Sequence, residues 1–217
     1  MIQEFNNENN IVELCGTVVN TPEVIHENTI TKEQLKQFVI NVARDSGIVD
    51  SIPVTYIYTE GSEQDLAKLV NIGDEIYVKG EFRSFNKIIS VEPHKSKLEL
   101  SVRAHQIGII GTEIDNLIKI TGYVCKQPNF RETPLHKTIT DLVVAVNRSY
   151  SKKSDYLPCI AWGKLAKEAK DFKIGQKLSI SGRIQSRIYT KKLEDGSTVG
   201  KVAYEVSIQH LEVLENE

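Results

Sequence analysis

The side chains best suited to chemistry lie in the second half of the chain. They are four aromatic residues, Tyr150, Tyr156, Trp162 and Tyr189, set among the cations Arg148, Lys152, Lys153, Lys164, Arg183, Arg187, Lys191, Lys192 and Lys201. Flat rings stack on nucleobases, all of which carry a π-face, while Lys and Arg neutralise phosphates. Together these residue types point to single-stranded nucleic acid held with little sequence preference. Spacing places several of them on shared strand faces. In DLVVAVNRSYSKKSDYLPCIAWGK (Asp141 to Lys164), two apolar runs flank a basic loop. Tyr156, Ile160 and Trp162 fall on one parity, and Leu157, Cys159 and Ala161 on the other. A strand so patterned has two faces to cover. From Lys177 onward, Leu178, Ile180, Ile184 and Ile188 read as a core face. Lys177, Ser179, Ser181, Arg183, Gln185, Arg187 and Tyr189 share the opposite one. A lone strand tryptophan reads more readily as a core residue, and arginines on an exposed strand usually only solubilise it. The convergence of four aromatics with the cations favours binding.

Other chemistries lack their residues. There is no Ser/His/Asp or Cys/His arrangement, no Walker-type loop and no carboxylate cluster spaced for two metals, so no enzyme activity and no cofactor are expected. Asp141 and Asp155 read as turn or cap residues. Cys15, Cys125 and Cys159 form no CxxC pair and read as buried free thiols in a reducing cytoplasm, and five scattered histidines lack ligand spacing. No apolar run approaches the ~20 residues of a membrane span. The net charge of −2 divides unevenly: residues 1–111 hold 10 Lys+Arg against 16 Asp+Glu, and residues 112–217 hold 17 against 13. Phosphate binding needs local positive potential, which makes the second half the candidate binder.

An internal repeat supplies the elements that position these residues. NIVELCGTVVNTPEV from Asn10 matches NLIKITGYVCKQPNF from Asn116, pairing Gly16 with Gly122 and Pro22 with Pro128. FVINVAR ending at Arg44 matches LVVAVNR ending at Arg148. IGDEIYVKGEFRS from Ile72 matches IGQKLSISGRIQS from Ile174, pairing Gly80 with Gly182. A period of domain length means two domains rather than a solenoid. We place them at 10–111 and 112–217, after a polar N-terminal tail, 1–9, expected to be disordered. Each copy reads as five strands with one short helix between the third and fourth. In the second copy the helix runs from Lys164 to Phe172 with Leu165, Ala166, Ala169 and Phe172 inward, and ends at Ile174-Gly175; in the first it carries Leu66, Ala67, Leu69 and Val70. Gly122, inside the first strand of its copy, marks a bend or a close approach of backbones. The fold class is all-β, as two tandem OB-folds, each a five-stranded Greek-key barrel.

The second copy resembles the bacterial single-stranded DNA-binding protein family. The resemblance is carried by Asn116 to Gly122, Pro128, Ala145-Val146-Asn147-Arg148, Ala161-Trp162-Gly163-Lys164-Leu165-Ala166, Gly175, Gly182-Arg183, Arg187, Tyr189 and Gly196, across residues 114–214. It implies that Tyr150, Tyr156, Trp162 and Tyr189 occupy the family's base-stacking places, and that Lys164 and Arg187 occupy phosphate-contacting ones. It further implies action in DNA replication, repair or recombination, a cytoplasmic, nucleoid-associated location, and assembly of four OB domains, here a homodimer. The family's flexible, acidic C-terminal tip is not found, since the sequence stops at LEVLENE, so recruitment of replication proteins through that tip is not expected. The first copy departs further: Ser51 stands at the place of Tyr156, Ile57 at Trp162, Lys87 at Tyr189 and Glu81 at Arg183. It is expected not to be an equivalent DNA binder; Tyr56, Tyr58, Arg83 and Phe85 read as core and surface packing in preference to a different, weaker site. Two other readings remain open: an interaction module resembling the primosomal replication proteins, and an RNA-binding OB protein.

Overall fold

A computed structural model describes residues 8–60, 70–90, 95–108, 116–192 and 196–215. Among them, the first copy forms β1 (Asn10–Val18), β2 (Glu23–Glu27), β3 (Gln34–Ala43), β4 (Val49–Tyr58), β5 (Glu75–Ser90) and β6 (Lys95–Gly108). The second forms β7 (Asn116–Val124), β8 (Asn129–Glu132), β9 (Thr138–Asn147), β10 (Ser154–Trp162), β11 (Lys177–Lys192) and β12 (Thr198–Leu214), with α1 (Gly163–Ala169) after β10. The strand order β2-β3-β4-β6-β5-β1-β7-β11-β12-β10-β9-β8 reads alike from either end. Extra pairings β1–β3 and β7–β9 close each half into a five-stranded ring. The expected barrels are therefore present, each with one further short strand, β2 or β8, hairpinned outside the ring.

Alternation drives both cores. Val12, Leu14, Phe38, Ile40, Val54 and Val102 fill the first, and Ile118, Val144, Val146, Leu157, Ile184 and Val206 the second, all at most 1% exposed. Each such side chain contributes about 1.5–3 kcal/mol relative to staying in water. Tyr56 is a core residue packed edge-on against Phe38, with ring centroids 6.2 Å apart. Gly122 stands where β7 leaves one partner for another: residues 116–120 pair with β1, and Tyr123 and Val124 with β9. A Cβ there would lie 2.5 Å from the Ala145 carbonyl oxygen, and Gly16 meets Asn41 in the same way. A side chain at either position would hold its barrel open.

Several expectations are corrected. Ile188 is not core but 82% exposed, because β11 runs past the barrel into a hairpin with β12. Helix α1 ends at Ala169, and Gly175, at φ +90°, serves the later turn that leads into β11, its N–H donating to the Val124 carbonyl. Cys15 and Cys159 are buried but Cys125 only partly so. The first copy's helix lies outside the described residues except for Val70, which is buried, as do the 111/112 boundary and most of the N-terminal tail.

The two barrels join through a pseudo-twofold contact. Strands β1 and β7 pair antiparallel from Asn10↔Ile120 to Leu14↔Asn116. Beside this ladder, Asn10 Nδ2 donates to Phe82 O (2.8 Å) and Phe82 N–H donates back to Asn10 Oδ1 (2.9 Å). Asn116 repeats the exchange with Ile184 at 2.7 and 2.9 Å. The two asparagines thus stand in for one further rung each.

Candidate nucleic-acid interface

Cross-strand register fixes one outer face of the second barrel. Ile160 lies beside Asp141 on β9 and Ser207 on β12, and Ser207 lies beside Arg183 on β11. Residues so paired point to the same side of a sheet, as do residues two apart on one strand. Tyr156, Trp162, Arg183, Arg187, Tyr189 and Lys201 therefore share a face. Six residues along β10 separate Tyr156 from Trp162 by roughly 20 Å at a strand's rise. Tyr150, in the β9–β10 loop, is 55% exposed, Tyr156 47%, Trp162 39% and Tyr189 39%. Leu157, Cys159 and Ala161 of the same strand are buried, so Trp162 belongs to the surface and not to the core. It ends β10 as the N-cap of α1, with Gly163 next at φ +58°, and an open pocket lined by His136, Lys137, Thr138 and Gly163 lies against it. The β8–β9 turn that brings His136 and Lys137 there gives no local sequence sign of doing so.

The cations divide into two groups. Lys152, Lys153, Lys164 and Lys192 are exposed, and Lys201 partly so; Lys191 lies in β11, its side chain outside the described residues. Arg187 is half-exposed, 5.7 Å from the Tyr189 ring centroid, and its Nε donates to Glu205 at 3.2 Å. Arg183 is partly buried, its Nε shielded from solvent. Arg148 stands apart from the surface set: its Nε and Nη2 donate to Asp155 at 3.0 and 2.7 Å, and Nη2 also reaches the Ser84 carbonyl of the first barrel at 3.2 Å. The hydrogen bonds to Asp155, with its charge, outweigh burial and raise the Arg148 pKa above the ordinary guanidinium value.

Asp155 is therefore neither a turn nor a cap. It is 1% exposed on β10 and accepts from the Ser84 N–H (2.8 Å) and from Arg83 Nη1 (3.2 Å) across the junction, as well as from Arg148. Asp50 of the first barrel is its pseudo-equivalent. It is fully buried, held by Arg44 at 2.6 Å, and accepts from the Ser186 N–H at 2.6 Å. Burial alone would raise its pKa, but the Arg44 and Ser186 hydrogen bonds and the Arg44 charge hold it below the ordinary value. Asp141 sits within β9 and pairs with Arg131 at 2.8 Å.

At the corresponding place in the first barrel, Ile57 is exposed and so is Phe85, contrary to its expected packing role, because β5 has run past the barrel there as β11 does at Ile188, while Tyr58 carries Lys36 Nζ 3.6 Å above its ring. Arg83 and Glu81 turn toward the second barrel: Tyr150 Oη donates to Glu81 Oε2 at 3.1 Å, and the Arg83 guanidinium lies 5.4 Å from the Tyr150 ring centroid. Sequence separations near 70 hid this pairing from the linear reading.

Residues 115–214 match the family model described as the single-strand binding protein family. Single-stranded DNA-binding protein 1 of Streptococcus pyogenes serotype M18 is 33% identical over 109 residues, covering 48% of this chain and 82% of that protein. Single-stranded DNA-binding protein 2 of Listeria innocua serovar 6a is 30% identical over 106 residues, covering 46% of this chain and 64% of that one, so the chain spans under two thirds of the Listeria protein's length. Nearly the whole fold is similar to a crystal structure of the wild-type single-stranded DNA binding protein from Thermus aquaticus, with a TM-score of 0.73 at 21% identity, covering 96% of this chain and 94% of that one.

Proposed function

We propose, for a chain that belongs to the single-strand binding protein family, a non-enzymatic role: binding single-stranded DNA with little sequence preference, through the outer face of its second barrel. The observation that carries this reading is the exposure of Tyr156 and Trp162 on one side of β10, while Leu157, Cys159 and Ala161 on the other fill the core. Rings held edge-free on a rigid strand offer stacking surface at low ordering cost, and each stacked base contributes roughly 1–3 kcal/mol. Exposed Lys152, Lys153, Lys164 and Lys192 flank these rings and follow the phosphates. The reaction is association alone, and the cellular setting we assign is DNA replication, repair or recombination in the cytoplasm.

The single tryptophan reports on this directly. Titration with oligo(dT) at low salt should quench Trp162 emission strongly, and raised salt should reverse the quenching as counterions compete for the phosphate contacts. An unchanged trace would remove the stacking assignment and favour a protein-interaction module of the primosomal kind. Stronger quenching by oligo(U) than by oligo(dT) would move the ligand to RNA.

Two chains would supply the four barrels that the family resemblance implies, so we assign a homodimer. Light scattering should then return twice the 24.5 kDa of one chain, and a monomer mass would remove the assignment.

A further inference from the structure

Glu81 looks like a lost site when the repeats are compared, because it replaces the arginine that the second copy carries at Arg183. Its surroundings give it a different part. The side chain is 1% exposed at the junction, yet it meets a residue of the other barrel's candidate site, since Tyr150 Oη donates to its Oε2 at 3.1 Å. The same carboxylate lies 3.2 Å from Arg83 Nη1 and 3.5 Å from His105 Nε2. Arg83 in turn binds Asp155 at 3.2 Å and places its guanidinium 5.4 Å from the Tyr150 ring centroid, within cation–π range. Tyr150 is thus tied by its hydroxyl and by one ring face, while more than half of its surface stays open to solvent. Burial, opposed by Arg83 and aided by Glu81, raises the hydroxyl's pKa above its ordinary value.

The pseudo-equivalent corner lacks these parts. There Arg183 and Gln185 stand in place of Glu81 and Arg83, and the short turn after Arg44, Asp45-Ser46-Gly47-Ile48, carries no aromatic residue. The asymmetry fits the divergence of the first copy: where the neighbour has a ring to hold, the arginine gives way to an acceptor.

We propose that Glu81 and Arg83 of the first barrel are positioning residues for the second barrel's DNA site, fixing the Tyr150 ring in a stacking-ready orientation. This rests on the binding function assigned above. An untethered tyrosine in the Ser149–Lys153 loop would have to be ordered each time a base stacks on it, and ordering one such side chain weakens association by about two- to tenfold. The first barrel, acidic overall, then acts in binding without contacting a base of its own.

The test is a double-mutant cycle on full-length protein, with oligo(dT) affinity read from Trp162 quenching and melting temperature measured in parallel. Tyr150→Phe, which keeps the ring and removes only the hydroxyl, and Glu81→Ala should each lower affinity about two- to tenfold. The pair together should lose no more than either alone. Glu81→Gln retains an acceptor oxygen and should restore most of the affinity lost in Glu81→Ala. Losses that add in the double variant, or wild-type affinity for Tyr150→Phe, overturn the inference, and the second holds even if Glu81→Ala fails to fold. Failure of wild-type protein to bind oligo(dT) would instead overturn the function itself, a result that the unmutated chain reports separately.

Discussion

Asp155→Ala is expected to destabilise the chain by about 3–5 kcal/mol, the usual cost of leaving buried charges without their partner. The carboxylate is 1% exposed and serves Arg148, Arg83 and the Ser84 N–H at once. Removing it takes the counter-ion from Arg148 and the acceptor from the Ser84 N–H, and leaves Arg83 with Glu81 in place of two carboxylates at the junction of the barrels. Arg148→Ala should show most of the same loss, and the double variant should lose less than the sum, because both act through one contact. Urea denaturation of the three variants measures this. A loss below about 1 kcal/mol for Asp155→Ala, the range of an exposed pair, would mean that the junction does not depend on its buried ion pairs. The sequence places Arg148 among the phosphate contacts. Its fixed geometry instead predicts that its replacement acts chiefly on stability, and the slope of affinity against salt distinguishes the two roles.

Tyr156→Ala/Trp162→Ala should show the opposite pattern, with affinity for oligo(dT) falling while stability holds. Each stacked base contributes roughly 1–3 kcal/mol, so losing both rings amounts to at least about thirtyfold in Kd. Both side chains are well exposed, and the core beneath them is made by Leu157, Cys159 and Ala161. Their truncation therefore opens no cavity. Anisotropy of a labelled oligo(dT) gives the affinity without the tryptophan, and a thermal melt gives the stability. Unchanged affinity in the double variant would move the binding face elsewhere on the molecule. Wild-type affinity combined with a large loss of stability would return these rings to a packing role.

Much of this architecture is legible along the chain because its signals are local. Alternation on β9, β10 and β11 separates core from surface. The glycine and proline pairs of the repeat fall where a strand must pass close to another backbone or turn. The same parity groups Tyr156 with Trp162 on one side of β10, and Ile160 between them, 3% exposed, shows that parity alone does not say which members of a row stay open to solvent. Ile188 shows where the rule stops: its parity is that of the core, but the barrel ends before it and the hairpin continues into solvent. Hydrophobic period tells which face a residue takes, and the length of the neighbouring strands tells whether anything covers that face.

The roles of charged residues were not legible in this way. Arg148, Arg183 and Lys152 are alike in a sequence, each a cation near an aromatic. Only the packing of one barrel against the other separates a guanidinium locked to Asp155 from an ammonium left in water. In the sequence Asp155 reads as a turn residue and Glu81 as a replaced arginine, because the groups each meets across the junction, the Ser84 N–H and the Tyr150 hydroxyl, lie about 70 positions away. The sequence by itself determined two OB-folds, which of them carries the aromatic row, and the face on which that row lies, since apolar period and repeat spacing are properties of neighbours in the chain. The tertiary structure decided which charges are buried, which barrel holds Tyr150 in place, and that β1 and β7 join the two halves as one sheet. Those depend on desolvation and on distances between residues that the chain alone leaves far apart.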